Sequence, residues 1–271
     1  VVSFVLILLF LIITKKPIVF KTQYPLLTFT RVILFFFGFS SFYVSLTVLP
    51  LGTATALFFV TPFLITIFAH FFLKEEIGLR RWSAVVVGFI GVYVTLNPDF
   101  SNFNYLSLLP ILCAFCYSLS MIIIKKTSDK DSVYTQTFTF YIGAIILSII
   151  FYFVIGDGQY NTSNHPASQF IFREWFVDFN SNILLMTATG VTATLAFFFL
   201  FTAYSIASPS VVSPFEYSIL FWSPLVGWLY FDEIPSLNTV VGILIIVSSG
   251  VYIFMREKAQ NQSIATEKPL R

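Results

Sequence analysis

The sequence predicts an all-α polytopic membrane protein built from two related halves. Three observations lead to this prediction. The chain of 271 residues is 57% hydrophobic and only 10% charged, and its mean hydropathy of +0.87 lies outside the range of soluble domains. Long apolar runs alternate with short polar breaks, and two stretches of the chain resemble each other. Helix is the open-ended structure that satisfies its own backbone in lipid, so each run is predicted to be helical.

Nine apolar runs are candidate spans of the bilayer. They lie at about 1–13, 24–47, 51–73, 82–97, 104–124, 133–155, 183–207, 209–231 and 236–255. The first run reaches only ~20 Å as a helix, against a hydrocarbon core of ~30 Å. We therefore expect that part of this span is missing. The repeat described below needs an odd number of spans in each copy, so an initial helix before it is expected to be missing as well.

The basic residues predict an orientation. If the C-terminal tail is cytoplasmic, alternation through the spans places the breaks at 14–23, 74–81 and 125–132 on the same side. These breaks and the tail contain all 15 lysines and arginines except Arg31 and Arg173. Such a bias is typical of cytoplasmic loops, so a cytoplasmic C-terminus is predicted. The long polar loop 156–182 is then external.

An internal repeat divides the chain. In FFLKEEI…GFIGVYV an apolar span ends at Glu76, and in LYFDEI…SSGVYIF a second span ends at Glu233. The charge bias places Glu76 on the cytoplasmic side and Glu233 on the external side, so the two copies cross the membrane in opposite senses. Inverted repeats are typical of secondary transporters, whose binding sites lie near the midplane.

The repeat also predicts the domain boundaries. The first repeat is predicted at 1–98 with four helices, the second at 99–257 with five, and a cytoplasmic tail at 258–271.

The two stretches that carry the repeat, 49–98 and 208–257, resemble EamA-type members of the drug/metabolite transporter superfamily. The resemblance implies a ten-helix carrier of the inner membrane, made of two inverted five-helix bundles around a central cavity, with both termini cytoplasmic. The groups that it resembles include carriers proposed for S-adenosylmethionine, riboflavin and amino-acid-like metabolites. The motifs do not distinguish among these substrates.

One carboxylate stands out within the spans. Glu216 lies in the apolar run 208–233, which also contains three prolines. An ionisable group at membrane depth is costly and by default indicates a functional site. Prolines leave helix carbonyls without donors, so this run is predicted to be a broken helix that lines a cavity.

Arg31 is the second charged residue inside a span. Counted from the cytoplasmic ends of their helices, Arg31 and Glu216 lie at a similar depth of ~10 Å. We hypothesise that the two pair and act as a gate, or that Glu216 exchanges a proton during transport. In the alternative, Arg31 reaches the headgroups and Glu216 satisfies backbone freed near Pro214.

Other residues are candidates for substrate binding or coupling. Thr61 and Pro62 mark a break in the first repeat, where freed carbonyls and hydroxyls could bind a substrate. Tyr217 and Trp222 flank Glu216 and are predicted to line the cavity. His70 could titrate near neutral pH and couple protons, or be an interfacial residue. Further aromatic candidates in the spans are Tyr43, Tyr117, Tyr141 and Tyr204.

Several classes of function find no support in the sequence. Cys113 and Cys116 are expected to be small buried hydrophobic residues, and neither a metal site nor a cofactor is predicted. The sequence has no phosphate-binding loop for ATP and no nucleic-acid-binding module. The expected partners are therefore a small-molecule solute and the lipid bilayer. The sequence leaves open a homodimer, an intramembrane enzyme and a non-transporting partner or sensor.

Overall fold

The computed structural model describes residues 2–15, 21–75, 78–97, 104–175 and 179–259. Within these ranges every regular element is helical. The helices are α1 Val2–Ile13, α2 Pro25–Ser45, α3 Leu51–Phe58, α4 Thr61–Leu73, α5 Leu79–Leu96, α6 Leu109–Thr127, α7 Val133–Ile155, α8 Pro166–Phe172, α9 Phe179–Ile206, α10 Pro209–Val212, α11 Ile219–Phe231 and α12 Leu237–Ala259. Short 3₁₀ turns occupy Tyr105–Leu108 and Ser213–Ser218.

Five helical stretches of the described chain are long and apolar enough to cross a membrane. They are Pro25–Ser45, Leu51–Leu73, Tyr105–Thr127, Val133–Ile155 and Asn182–Ile206. Shorter apolar helices occupy Val2–Ile13, Trp82–Leu96 and Leu237–Tyr252. The prediction of an all-helical polytopic protein is confirmed.

The chain forms two compact units. In its described part the first unit contains 2–36 and 123–206, and the second contains 37–122 and 207–259. In the first unit, α1 packs against α7 and α9, and Phe10 meets Phe198 with ring centroids 5.5 Å apart. In the second unit, α5 packs along α12 and α3 packs against α11.

The predicted helix breaks are present in the second unit. The span of the first repeat divides into α3 and α4, and Pro62 lies in the first turn of α4 rather than at the centre of a kink. At this position its missing amide costs little, since first-turn amides have no partner within the helix. The equivalent span of the second repeat divides into α10, the 3₁₀ turn Ser213–Ser218 and α11.

The two broken spans end in the same way. Lys74 follows α4 with a φ of 58°, and Asp232 follows α11 with a φ of 54°. The next amides, of Glu75 and Glu233, donate to carbonyls six residues earlier, at 3.2 and 3.1 Å. Glu75 is thus the structural counterpart of Glu233. The sequence motif instead matches Glu76 to Glu233, and Glu76 lies outside the described residues.

Each broken span begins at the end of its counterpart. The amide of Leu51, the first residue of α3, donates to Glu233 Oε2 at 2.6 Å. The hydroxyl of Ser208, the residue before α10, donates to Glu75 Oε1 at 2.7 Å. The two spans therefore run antiparallel, as an inverted repeat requires. We call these two contacts the reciprocal caps.

Close approach of helices requires glycine at several places in this unit, and Gly242 and Gly250 are two of them. A Cβ on Gly242 of α12 would lie 1.9 Å from Thr95 Oγ1 and 2.8 Å from the carbonyl oxygen of Gly91 on α5. A Cβ on Gly250 would lie 1.9 Å from the ring of Tyr217. Small residues allow this kind of close helix contact within a membrane. Gly91 and Gly250, which mark the repeat in the sequence, thus have different neighbours.

Candidate functional site

Glu216 lies where the second broken span departs from α-helical geometry. It belongs to the 3₁₀ turn Ser213–Ser218 between α10 and α11. Its side chain is half-buried, and its Oε2 accepts a hydrogen bond from the hydroxyl of Tyr117 on α6 at 2.9 Å. A hydrogen bond to a charged acceptor is roughly twice as strong as a neutral one. Tyr117 therefore holds the carboxylate in a defined position.

Aromatic rings surround the tyrosine that holds this carboxylate. Phe58 and Phe39 both meet Tyr117 edge to face, with centroids 5.4 and 6.4 Å away. Phe42 in turn packs on Phe58 at 5.9 Å. Tyr117 is buried, whereas the three phenylalanines are half-buried. We call Phe39, Phe42, Phe58 and Tyr117 the aromatic cluster.

Tyr217 and Trp222, predicted to line a cavity, occupy different surroundings. Tyr217 is buried in the core of the second unit, where its ring packs on Phe59 at 5.7 Å. Within the described residues its hydroxyl has no hydrogen-bond partner. Trp222 lies on the outer surface of α11 with 57% of its area exposed, and contacts Phe221. The structure does not bring these two aromatic side chains together, and their role in binding stays a prediction.

Thr61 and Pro62 are both buried at the break of the first repeat. The Thr61 hydroxyl donates to the carbonyl of Phe58 at 2.5 Å, and the Thr61 carbonyl accepts from Ser118 of α6 at 3.3 Å. Ser118 is one residue beyond Tyr117. The same stretch of α6 therefore contacts the breaks of both repeats, at Thr61 in one and at Glu216 in the other.

Arg31 is buried in the first unit, with only 1% of its surface exposed. Its two terminal nitrogens donate to Gln136 of α7, one to the side-chain oxygen at 3.3 Å and one to the backbone carbonyl at 2.5 Å. Its guanidinium also lies over the rings of Phe140 and Phe201, 5.7 and 5.2 Å from their centroids. Cation–π contacts of this kind stabilise a buried arginine.

Asp131 extends this network from Gln136 to the residues before α2. The Gln136 amide donates to the carbonyl of Asp131 at 3.2 Å. The carboxylate of Asp131 accepts hydrogen bonds from the hydroxyl of Thr22 and from the amide of Gln23. The start of α2 is thereby joined to the turn that precedes α7.

Arg31 and Glu216 belong to different units, and each has partners within its own unit. Their direct pairing stays a prediction. Gln136 and Asp131 did not stand out in the sequence, because an amide at the start of a span and an acid in a loop carry no distinctive pattern. Tyr117 was one of several aromatic candidates, and only its contact with Glu216 separates it from the others.

His70 lies near the end of α4, as predicted. Its Nδ1 is 2.8 Å from the carbonyl oxygen of Glu75, so a proton on Nδ1 makes the ring a hydrogen-bond donor. Its ring also packs against Phe71 and Trp82. These contacts place His70 beside the reciprocal cap at Glu75, away from the middle of the span.

Two other features of the structure offer less chemistry. The first unit contains a cavity of about 540 Å³ between α1 and α7, and its lining is apolar, aromatic or hydroxylic. Cys113 and Cys116 are both buried and unbonded to each other, in line with their expected packing role. Among the described residues no group of three His, Cys, Asp or Glu side chains could hold a metal ion.

Comparison with known proteins assigns this arrangement to a family. The model of the EamA-like transporter family matches the chain twice, at residues 1–97 and 105–255. The S-adenosylmethionine uptake transporter of Rickettsia felis is 32% identical over 238 residues, which cover 88% of this chain and 74% of the relative. The riboflavin transporter of Vibrio cholerae is 31% identical over 213 residues, covering 79% and 65%.

A solved crystal structure shares the fold, with a TM-score of 0.65 at 15% identity over 96% of this chain and 86% of its own. The double match of one family model agrees with the antiparallel repeat seen in the second unit. The family consists of transporters of small molecules and not of enzymes. The chain is an integral membrane protein that belongs to the EamA-like transporter family.

Proposed function

We propose that this protein is a secondary transporter that moves a small organic metabolite across a bacterial inner membrane by alternating access. The observation that carries the proposal is the half-buried carboxylate of Glu216, held by Tyr117 at the break of an inverted repeat. Midplane sites at broken helices are the usual binding sites of transporters built from inverted repeats. A cytoplasmic C-terminus, which the basic residues predict, is part of this proposal.

The relatives provide two candidate substrates. Proteins similar to this chain are named for uptake of S-adenosylmethionine and for transport of riboflavin. Amino-acid-like metabolites form a third class that the resemblance suggests. The relatives are bacterial, which supports the assignment to an inner membrane.

Solute flux in proteoliposomes tests the proposal. The purified protein is reconstituted, and the vesicles are loaded with unlabelled S-adenosylmethionine or riboflavin. Exchange of the labelled solute into loaded vesicles is expected to exceed that into protein-free vesicles, without ATP. Glu216→Gln keeps the shape of the side chain and removes its charge, so it is expected to lower flux at least ~10-fold. A folded protein that exchanges none of the tested solutes contradicts transport of these classes.

A gate formed by Arg31 and Glu216 is a second proposal for the same cycle. Arg31→Glu and Glu216→Arg are each expected to abolish flux, and the double reversal is expected to restore part of it. Arg31 also holds Gln136, so each variant is first compared with wild type by thermal unfolding. If the folded double variant recovers no flux, the pairing loses its support.

A further inference from the structure

We infer that His70 makes one of the two reciprocal caps sensitive to protons, while the other cap has no such response. The cap concerned joins the carboxylate of Glu75, after α4, to the hydroxyl of Ser208, before α10. His70 lies in the last turn of α4, next to this cap. We call His70, Glu75 and Ser208 the proton latch. Its expected effect on flux rests on the proposed function, whereas its expected effect on stability does not.

Two residues of α4 hold the backbone of Glu75. The carbonyl of Ala69 accepts the amide of Glu75 at 3.2 Å. The Nδ1 atom of His70 lies 2.8 Å from the carbonyl oxygen of Glu75. His70 is half-buried, and its ring meets that of Trp82 on α5 edge to face, with centroids 6.1 Å apart. Because both backbone groups of Glu75 are held, its carboxylate is positioned to accept the hydroxyl of Ser208 at 2.7 Å.

Protonation of His70 strengthens this contact. Histidine is the side chain whose charge ordinarily changes between about pH 5 and 8. A protonated ring always carries a hydrogen on Nδ1, whereas a neutral ring can carry its hydrogen on Nε2 and then turns an acceptor towards the Glu75 carbonyl. A positive charge at the C-terminal end of a helix is also favourable. The cap at Glu75 is therefore stronger at low pH and weakens as the ring loses its proton.

Other charged groups act on His70 as well. Lys74 is exposed, so water and salt screen its repulsion, while the half-buried carboxylate of Glu75 attracts a protonated ring. Glu76 follows in the chain, outside the described residues. α10, which packs against α4, has no titratable side chain. The other elements that contact α4 in this unit contain the titratable residues Arg80, Arg81 and Tyr93 of α5, Glu216 and Tyr217 of the 3₁₀ turn, and Cys113, Cys116 and Tyr117 of α6.

The cap at Glu233 lacks a corresponding ring. Glu75 and Glu233 are structural counterparts, because each donates its amide to a carbonyl six residues earlier. Counted back from these two residues along α4 and α11, the counterpart of His70 is Trp228. The indole of tryptophan is a donor only and does not titrate in this range. The basic residues predict that the Glu75 end is cytoplasmic, so the proton latch responds to cytoplasmic pH.

Thermal unfolding at different pH values tests the inference without any solute. Between about pH 6 and 8, wild type is expected to lose ~2–4 °C more in Tm than His70→Gln, the effect of one charge at a partly buried helix end. The chain has two histidines, and the other, His165, lies exposed before α8. His165→Gln is the matched control and is expected to keep the wild-type dependence. An equal dependence in wild type and His70→Gln overturns the inference.

Variants of the two caps assign the response to one of them. Ser208→Ala removes the donor to Glu75, and its cost in Tm is expected to be larger at about pH 6 than at about pH 8. In the His70→Gln background that cost should be equal at both pH values. Glu233→Gln, at the other cap, should cost the same at both pH values in wild type. A cost of Ser208→Ala that does not change with pH overturns the link between His70 and the cap, even where His70 itself affects Tm.

Exchange flux measures the consequence for transport, because a stronger cap holds this end of the two spans closed. Labelled S-adenosylmethionine and riboflavin are exchanged with equal pH on both sides of the membrane, so no proton gradient contributes. Wild type is expected to exchange its solute about twofold to fivefold faster at pH 8 than at pH 6, whereas the rate of His70→Gln should change little. The same rise in His70→Gln assigns the response to another group, such as Glu216, and overturns the regulatory role. Absence of exchange for every solute tested contradicts the proposed function, and the Tm measurements then decide on the proton latch alone.

Discussion

Substitution of Glu233 tests the reciprocal caps that join the two repeats. Its carboxylate accepts the amide of Leu51 at 2.6 Å, at the first residue of α3. That amide has no acceptor within its own helix, because the first amides of any helix lack a carbonyl one turn earlier. The carboxylate also lies at the positive end of the α3 dipole. Loss of Glu233 therefore affects both a hydrogen bond and a charge–dipole interaction.

The expected magnitudes follow from these two interactions. Glu233→Gln keeps an oxygen acceptor but loses the charge, which costs about 1 kcal/mol at a helix N-terminus. Glu233→Ala also leaves the partly buried amide without this acceptor, so its cost rises to about 2 kcal/mol. For a protein of this size, 1 kcal/mol corresponds to a change of ~2–4 °C in Tm. We expect losses of ~2–4 °C for the glutamine variant and ~4–8 °C for the alanine variant.

Thermal unfolding of the detergent-solubilised protein provides the measurement. Asp232→Asn is the matched control, because it removes the same charge from the neighbouring exposed residue and asparagine tolerates its positive φ. An equal loss of Tm in Asp232→Asn and Glu233→Gln would attribute the effect to net charge and refute the capping argument. Ser208→Ala disrupts the other cap, and its loss should add to that of Glu233→Gln, because the caps lie at opposite ends of the antiparallel spans.

Two further predictions concern packing in each unit. Gly250→Ala places a methyl group against the ring of Tyr217 and is expected to cost about 1–3 kcal/mol of stability. The same substitution should cost less in a protein that also carries Tyr217→Leu. Equal costs in the wild-type and Tyr217→Leu backgrounds would refute the contact. Arg31→Gln removes a guanidinium from Gln136 and two rings and is expected to lower Tm by several degrees. Arg173→Gln, at an exposed position in the loop after α8, should leave Tm within about 1 °C. Similar losses in both variants would show that Arg31 is not held as described.

The helical architecture could be predicted from sequence because the bilayer imposes it. An apolar run in lipid must satisfy its backbone internally, so hydropathy alone places the helices. The prolines likewise predicted the breaks in the spans of both repeats. Pro62 shows the limit of that argument, since a proline in the first turn of a new helix and a proline at a kink look the same in sequence. The two cases differ in whether the backbone carbonyls before the proline accept hydrogen bonds within one continuous helix. That pattern is seen only in the three-dimensional structure.

The repeat could be detected from sequence, but its register could not be fixed. The first span ends in the acidic pair Glu75-Glu76, and the second ends in the acidic pair Asp232-Glu233. The motif alone therefore allows either Glu75 or Glu76 to match Glu233. The positive φ of Lys74 and of Asp232 decides the register, because each marks the last turn of its helix. The residue after each of them is then the one whose carboxylate reaches the counterpart helix.

Arg31 shows why charge partners are the least predictable part of a membrane site. From the sequence, a buried cation is expected to pair with a buried anion, and Glu216 is the anion predicted at a similar depth. A guanidinium has five donors and a polarisable plane, so a backbone carbonyl and two aromatic faces also stabilise it. Gln136 supplies that carbonyl from a position 105 residues away in the chain. Double-mutant cycles distinguish Gln136 from Glu216 as the partner of Arg31. The effects of Arg31→Gln and Gln136→Leu on stability should be strongly non-additive, because the two side chains are in contact. This result is expected even if Arg31 and Glu216 couple only in transport.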